Sequence, residues 1–307
     1  MSRALTVVPA ASGSGAGAGG TASAAARARF RSEYGAQRLA EGRAHSGAEL
    51  RALPYLATGP LARQWAVRAR TFDAFVRLVL RPAIHECEYA RPARPVRLLD
   101  LGAGCGWLAR RAALAGAHAV ALDLRDDAVD GLGAALRFDD GNDGGGDRCS
   151  TRAGAGTAAF ARVAASFDAL PLAPGHFDLV VFNASLHYAT DLSVVLAEAR
   201  RVVRPAGRIV VLDSPFYATG AAGEAMVAEK HRAARARFGG RAGALLALPF
   251  VEYLTRERLT RASAGLALRW RRRRVRYPLW YEARPLLASL RGRRRPSRFD
   301  LWESTVA

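Results

Sequence analysis

The sequence predicts an α/β fold in which a mostly parallel, doubly wound sheet is covered by helices on both faces, and three observations predict it. Between about residues 96 and 214, short apolar runs alternate with segments of helical spacing, the pattern of repeated strand–helix–strand units. A glycine-rich turn, GAGCG at 102–106, stands at the first strand-to-helix junction. Half of the 307 residues are hydrophobic, enough for a substantial core.

Residues 1–28 are mostly Ala, Gly and Ser. Such a segment buries too little apolar surface to offset chain entropy, and a disordered tail is expected there. The patch LTVVPAA after Arg3 is short and carries a proline, which argues against a secretory leader. Residues 29–95 are expected to form an N-terminal helical cap. In LARQWAVRARTFDAFVRLVL (61–80) the apolar residues Leu61, Trp65, Phe72, Phe75, Val76 and Val79 recur at three- and four-residue intervals between arginines. Pro82 is expected to stop that helix, and RPARP at 91–95 to form a hinge.

The remaining chain, 96–307, reads as one catalytic-type domain. VRLLDL (96–101) is a buried strand, WLARRAALAG (107–116) a helix with a glycine end, AVALDL (119–124) a strand and AVDGLGAAL (128–136) a weaker helix. A Gly/Asp-rich, low-complexity stretch at 138–156 is expected to be a surface insertion, because a strand pattern resumes at once with AFARVAAS (159–166). FDLVVFNAS (177–185) is a strand, DLSVVLAEARRVVRP (191–205) a helix ended by Pro205, and GRIVVLDS (207–214) a further strand. Beyond it, residues 221–248 look helical, LTRERL (254–259) starts another helix, and LALRWRRRRVRY (266–277) and SRFDLWEST (297–305) are two late strands.

The formal charge is +19, yet residues 1–95 hold 14 Arg against 6 acids, residues 96–268 hold 20 basic against 18 acidic residues, and residues 269–307 hold 12 against 3. The excess is therefore terminal, which weakens the ordinary inference of a polyanionic partner for the central domain. No apolar run approaches the roughly 18–20 residues of a membrane-spanning helix. The three cysteines, Cys87, Cys105 and Cys149, are too few and too scattered for a disulfide framework or zinc site and point to a reducing, cytoplasmic setting. His85 and Cys87 in IHECE lack a second pair at ligand spacing, so no metal is expected.

Asp100, Gly102, Gly104 and Gly106 form D-x-G-x-G-x-G across the first strand–helix junction. Glycines there allow positive φ and let a ligand approach the backbone without a Cβ in the way. A dinucleotide fingerprint, G-x-G-x-x-G, would require a small residue where Trp107 stands. Asp100 would also repel a pyrophosphate, whereas it suits a ligand with an ammonium and a sulfonium. The set favours S-adenosylmethionine. Asp123, at the end of the next strand, is placed to accept hydrogen bonds from ribose hydroxyls.

With LLDLGAGCGWLARR (98–111), ALDL (121–124), DALPLAPGHFDLVVFNASLHYATDL (168–192) and LAEARRVVRPAGRIVVLDSP (196–215) in this order, the chain resembles the class I S-adenosylmethionine-dependent methyltransferases, in particular the small-molecule branch that includes the ubiquinone-biosynthesis type enzymes. The resemblance implies a Rossmann-like, seven-stranded sheet whose last strand runs antiparallel, with the cofactor over the first, second and fourth strands. It implies that the glycine loop cradles the methionine part, that Asp100 lies near its amino group and that Asp123 holds the ribose. Ser166 stands where the family often has aspartate, so Ser166, or Asp168 with the backbone at Phe167, is implied for the adenine. Asn183 begins the segment that lines the methyl-donor pocket, followed by Ser185, His187 and Tyr188. Ala206 replaces the first glycine of the family's Pro-Gly-Gly turn.

Methyl transfer is an in-line displacement at an activated carbon, so positioning can supply much of the acceleration. Where the acceptor is a hydroxyl, a base of near-neutral pKa helps, and His187 is the candidate by location and type. Tyr188, Trp65 and Tyr55 are candidates for an acceptor pocket. The expected function is methyl transfer to a small or medium organic acceptor, with helices from 29–90 and 220–260 capping the pocket. Two alternatives stand beside it: an RNA methyltransferase using the arginines of Trp270–Arg276 and GRRRP (292–296), and a cofactor-binding partner subunit without catalysis.

Overall fold

The structure, a computed structural model, describes residues 24–138, 160–246 and 248–307. Most of the expected tail and nearly all of the expected insertion lie outside the described residues.

Among the described residues, four α-helices precede the sheet: α1 (Ala24–Ala40), α2 (Gly47–Ala52), α3 (Ala62–Phe75) and α4 (Arg81–Glu88). Pro82 does not stop the helical run. Residues Val76–Leu80 widen into a π-helical segment, and the Arg81 N–H bonds to Val76 O, five residues back. Pro82 then falls in the first turn of α4, where a missing N–H breaks no intrahelical bond. A capping box closes α2, with the Glu49 N–H donating to Ser46 Oγ and the Ser46 N–H to Glu49 Oε2.

The alternating part follows as β1 (Arg97–Leu101), α5 (Trp107–Leu114), β2 (His118–Asp123), β3 (Ala161–Ala164), β4 (Phe177–Asn183), α6 (Leu192–Val202) and β5 (Val203–Leu212). The weaker helix expected at 128–136 is a 3-10 segment, Leu132–Phe138. It starts late because Asp127 Oδ1 accepts from the N–H groups of Val129, Asp130 and Gly131, which competes with helical bonding. Helix α6 ends three residues before Pro205 and the chain turns directly into β5, since the residue before a proline is pushed out of the helical region. The chain then continues through α7 (Gly220–Phe238), α8 (Ala242–Leu245), α9 (Arg256–Ala262), β6 (Arg271–Arg273), α10 (Leu279–Glu282), α11 (Arg284–Leu290) and β7 (Leu301–Thr305).

The sheet has seven strands in the order β3-β2-β1-β4-β5-β7-β6. The strands β1 to β5 pair in parallel, and β7, the last in the chain, is antiparallel to both β5 and β6. This is the expected architecture, with the antiparallel strand inside the sheet rather than at its edge. Strand parity divides the core. Leu98, Leu179, Val181, Val210 and Leu212 face α3, α4 and α5, while Leu99, Leu101, Val180, Phe182, Ile209 and Val211 face α6 and α9, as the two-residue period of a strand buried on both faces requires.

Two arginines of the basic run are partnered at the sheet edge. Arg272 pairs with Asp300 (2.5 Å) and Arg273 with Glu303 (2.7 Å), so this part of the run is a salt-bridged edge. At the opposite ends of the strands, Asp178 of β4 accepts from Arg94 at both oxygens (2.6 and 2.7 Å), from the Arg97 N–H (2.8 Å) and from Arg204. Among the described residues, no helix is long and apolar enough to cross a membrane. Cys87 and Cys105 are buried free thiols.

Candidate active site

The strand order reverses between β1 and β4, and ligands in such sheets bind beyond the carboxyl ends of the strands at that point. Register places the candidates there: Asp100 pairs with Ala121 and Val181, and Leu101 with Leu122 and Phe182. Asp123 and Asn183 therefore close adjacent strands on either side of the glycine loop.

The loop glycines adopt positive φ, 72° at Gly102, 55° at Gly104 and 77° at Gly106. Their space is claimed partly by the protein itself. A Cβ at Gly102 would lie 2.4 Å from the Ser185 Cβ, and one at Gly106 would lie 2.7 Å from the Phe160 ring. The glycines thus serve close internal packing as well as ligand approach. Ser185 locks this packing by donating from Oγ to the Leu101 carbonyl.

The two aspartates differ in role. The Asp123 carboxylate accepts from the Gly104 N–H at Oδ2 and from the Arg125 N–H at Oδ1, both at 2.8 Å. It holds the loop and retains lone pairs for a ligand. Burial raises its pKa, a shift that Arg125 and the two amides oppose. Asp100 is completely buried and is not part of the cavity wall. Burial first, then the neighbouring Asp123 charge, push its pKa up to about 8, against the nearby Ala109 amide.

A single cavity collects the other features. Gly102, Gly104 and Asp123 line it with Ser166, Phe167, Asp168 and Asn183, as the sequence suggests. Leu124 and Arg125 add to this side. The opposite side comes from the N-terminal helical segments: Phe30, Tyr34 and Arg38 of α1, Arg43 of the connection to α2, and Trp65 and Arg68 of α3, with Tyr188, Leu248 and Phe250. The Tyr34 and Tyr188 hydroxyls are 2.8 Å apart, and Arg38 reaches both and approaches Asp130 Oδ2 at 3.6 Å. Arg111 of α5 donates to the carbonyls of Arg51, Ala52 and Leu53, satisfying the end of α2 and fastening the helical segment to the sheet layer.

His187 departs from expectation. It is not in the cavity wall; it tilts against Tyr188, centroid to centroid 4.3 Å. Burial, followed by the charges of Lys230, Arg38 and Arg68, lowers its pKa to about 3. A histidine so poorly basic does not act as a base near neutrality. Tyr55 is also displaced from the site: it is half exposed and donates to Asp73 Oδ1. Trp65 and Tyr188 do line the cavity. Gly106 instead starts α5 as its N-cap. Sequence reasoning missed Phe30, Tyr34, Arg38, Arg43, Arg68, Arg125 and Phe250. Helical periodicity marks α1 and α3 as packed but does not say against what, and Phe250 lies outside any motif.

Residues 99–211 match a family model described as a methyltransferase domain. A malonyl-[acyl-carrier protein] O-methyltransferase from Erwinia pyrifoliae is 27% identical over 142 residues, 46% of this chain and 46% of that protein. The ubiquinone/menaquinone biosynthesis C-methyltransferase of Methylobacterium nodulans is 37% identical over 128 residues, 40% of this chain and 44% of that one. The chain matches slightly under half the length of these relatives. Among solved structures, magnesium protoporphyrin IX methyltransferase from Synechocystis, with bound SAH, aligns at a TM-score of 0.51 and 13% identity, covering 92% of this chain and 100% of that one, a likeness of fold alone.

Proposed function

We propose that the protein, whose residues 99–211 match a methyltransferase-domain family model, transfers a methyl group from S-adenosylmethionine to a small or medium organic acceptor held under its helical cap. The observation that carries this reading is the single cavity in which the β1 glycine loop, Asp123 and Asn183 face Tyr34, Trp65 and Tyr188.

The residues fit the donor. Asn183 Oδ1 is buried without a hydrogen-bond partner in the cavity wall, which suits a ligand donor such as an ammonium. Asp123 is assigned to the ribose hydroxyls, the 102–106 loop to the methionine portion, and Ser166, Phe167 and Asp168 to the adenine. When bound, S-adenosylmethionine supplies a sulfonium-activated methyl group. The chain's own contribution is positioning and exclusion of water: the aromatic wall from α1 and α3 encloses the acceptor side, and positioning alone supplies much of such a displacement. No side chain of suitable basicity is required, and His187 is not given that role.

Residues 29–95, with the α7–α9 region, are read as the cap and 96–307 as the catalytic domain. The buried free thiols Cys87 and Cys105 support a reducing, cytoplasmic setting. The pairing of Arg272 and Arg273 with Asp300 and Glu303 leaves fewer free cations for RNA than the sequence suggests, and supports a small acceptor.

The test is to incubate the purified chain with methyl-labelled S-adenosylmethionine and separate metabolite, lipid and RNA fractions. Label is expected in the metabolite fraction. Label in RNA alone would replace the acceptor assignment, and donor binding with no transfer to any fraction would support the partner-subunit reading.

A further inference from the structure

Four arginines line the donor cavity, and three are compensated. Arg125 pairs with Asp127 at 3.1 Å, Arg38 with Glu41 at 3.0 Å and Arg43 with Glu41 at 3.1 Å. Arg68 has no ion pair or hydrogen bond among the described residues. Its guanidinium lies over the Trp65 ring at 5.0 Å, a contact that fixes the guanidinium plane and leaves its N–H edges free for an oxygen ligand. The acid that influences it most is Asp213, which attracts it electrostatically and is itself engaged by the Thr71 hydroxyl. Arg38 and Arg43 add repulsion.

The donor would sharpen this imbalance. S-adenosylmethionine carries a net positive charge, so its binding adds a cation to a cavity in which the Arg68 guanidinium has no direct ion pair among the described residues and is offset only at a distance, chiefly by Asp213. A buried charge left without a partner is costly, and the cost grows as water is excluded. An acceptor that brings an anionic group removes the penalty and gains a charge-assisted, bidentate contact.

Resting on the methyltransferase reading above, we propose that the acceptor carries a carboxylate or phosphate group, and that Arg68 binds this group inside the donor cavity as the residue that sets acceptor charge. Arg68 is well placed for this. It also lines an adjoining cavity with Asp213, Trp280 and Tyr281, so it stands where the donor site gives way to a second chamber.

The experiment uses the full chain, methyl-labelled S-adenosylmethionine and a metabolite extract separated beforehand on an anion exchanger. The retained fraction is expected to take the label. In Arg68→Gln the KM for the active fraction should rise about 30-fold or more, the scale of a lost buried charge pair. Arg68→Lys should recover part of that loss, and S-adenosylhomocysteine affinity, measured by calorimetry, should stay within about twofold in both variants. Label taken from the unretained fraction overturns the proposal, as does an Arg68→Gln enzyme whose KM matches the parent. If neither fraction takes label while S-adenosylhomocysteine still binds, the catalytic reading falls and the acceptor proposal with it. If the parent chain fails to bind S-adenosylhomocysteine, the donor assignment itself is wrong.

Discussion

The hydroxyls of Tyr34 and Tyr188 meet at 2.8 Å, with the two rings edge to face at 80°, and this contact joins α1, the first of the described helices, to the segment that follows β4. Both residues line the donor cavity. The first helix is therefore held over the site by a polar latch and by the small apolar cluster of Phe30, Tyr34 and Leu248. Tyr34→Phe removes two hydrogen bonds, with Tyr188 and from Arg38, about 1 kcal/mol each, and keeps the ring. Release of S-adenosylhomocysteine, followed by stopped-flow fluorescence, should become several-fold faster with the fold intact. An unchanged release rate would mean that the latch does not retain the ligand.

Asp123→Ala deletes the acceptor of the Gly104 and Arg125 N–H groups together with the proposed ribose contact. Hydrogen bonds to a charged group contribute about 1.5–3 kcal/mol each, so calorimetry should show donor affinity reduced roughly 100-fold or more. Asp123→Asn should fall between the two, because it retains an oxygen acceptor. Parental affinity in the alanine variant would remove Asp123 from the site.

His187→Gln should leave the pH–rate profile in place and lower kcat by no more than about threefold, the effect of a small change in packing. The histidine is held far below the neutral range by burial and nearby cations, so it stays uncharged from pH 5 to 9. A lost acid-side limb in the variant's profile would return His187 to the mechanism.

Asp178 predicts an acid-stability limb. Burial alone would raise its pKa, but the hydrogen bonds from Arg94, the Arg97 amide and Arg204 outweigh it and bring the value down to about 2 from 3.8. The folded value is the lower one, so the stabilisation is present above about pH 4 and is lost as pH falls toward 2. Asp178 is 3% exposed, and the shift corresponds to about 2 kcal/mol. Urea unfolding of Asp178→Asn should show a loss of at least that size at pH 7, shrinking toward pH 2; a loss independent of pH would contradict the assignment.

Ala206 holds φ at 59° within β5, where the pairing with β4 shifts register just before Gly207. A side chain there costs about 1–2 kcal/mol relative to glycine, part of which is offset by the larger entropy of an unfolded glycine. Ala206→Gly should raise stability by about 0.5–1 kcal/mol in calorimetry and leave donor affinity alone. Destabilisation would show that the methyl group makes compensating contacts.

The order of strands and helices was legible because each element carries its own period. LLDL, VALD and DLVVFN are buried runs bounded by turn residues, and parity along them separates the two faces of the core. The glycine loop and Asp123 were legible because their chemistry is local: positive φ and a strand-end carboxylate are properties of short segments. Pro82 misled because periodicity cannot reveal the widened π turn that accommodates it. That His187 lies outside the cavity wall was not legible, because residue type and sequence position carry no information about which way a side chain faces or how many cations surround it.

By itself, the sequence determined the α/β class, the position of the glycine loop and the identity of most residues lining the sheet side of the cavity. Only the tertiary structure decided what closes the site. Phe30, Arg38 and Arg68 lie far from the glycine loop in sequence and reach the cavity through helix packing, and Asp100 is wholly buried outside the cavity wall while Asp123 lines it. The physical reason is that hydrophobic period marks a face as buried without naming its partner, whereas burial depth and charge compensation depend on every segment that converges on the same cavity.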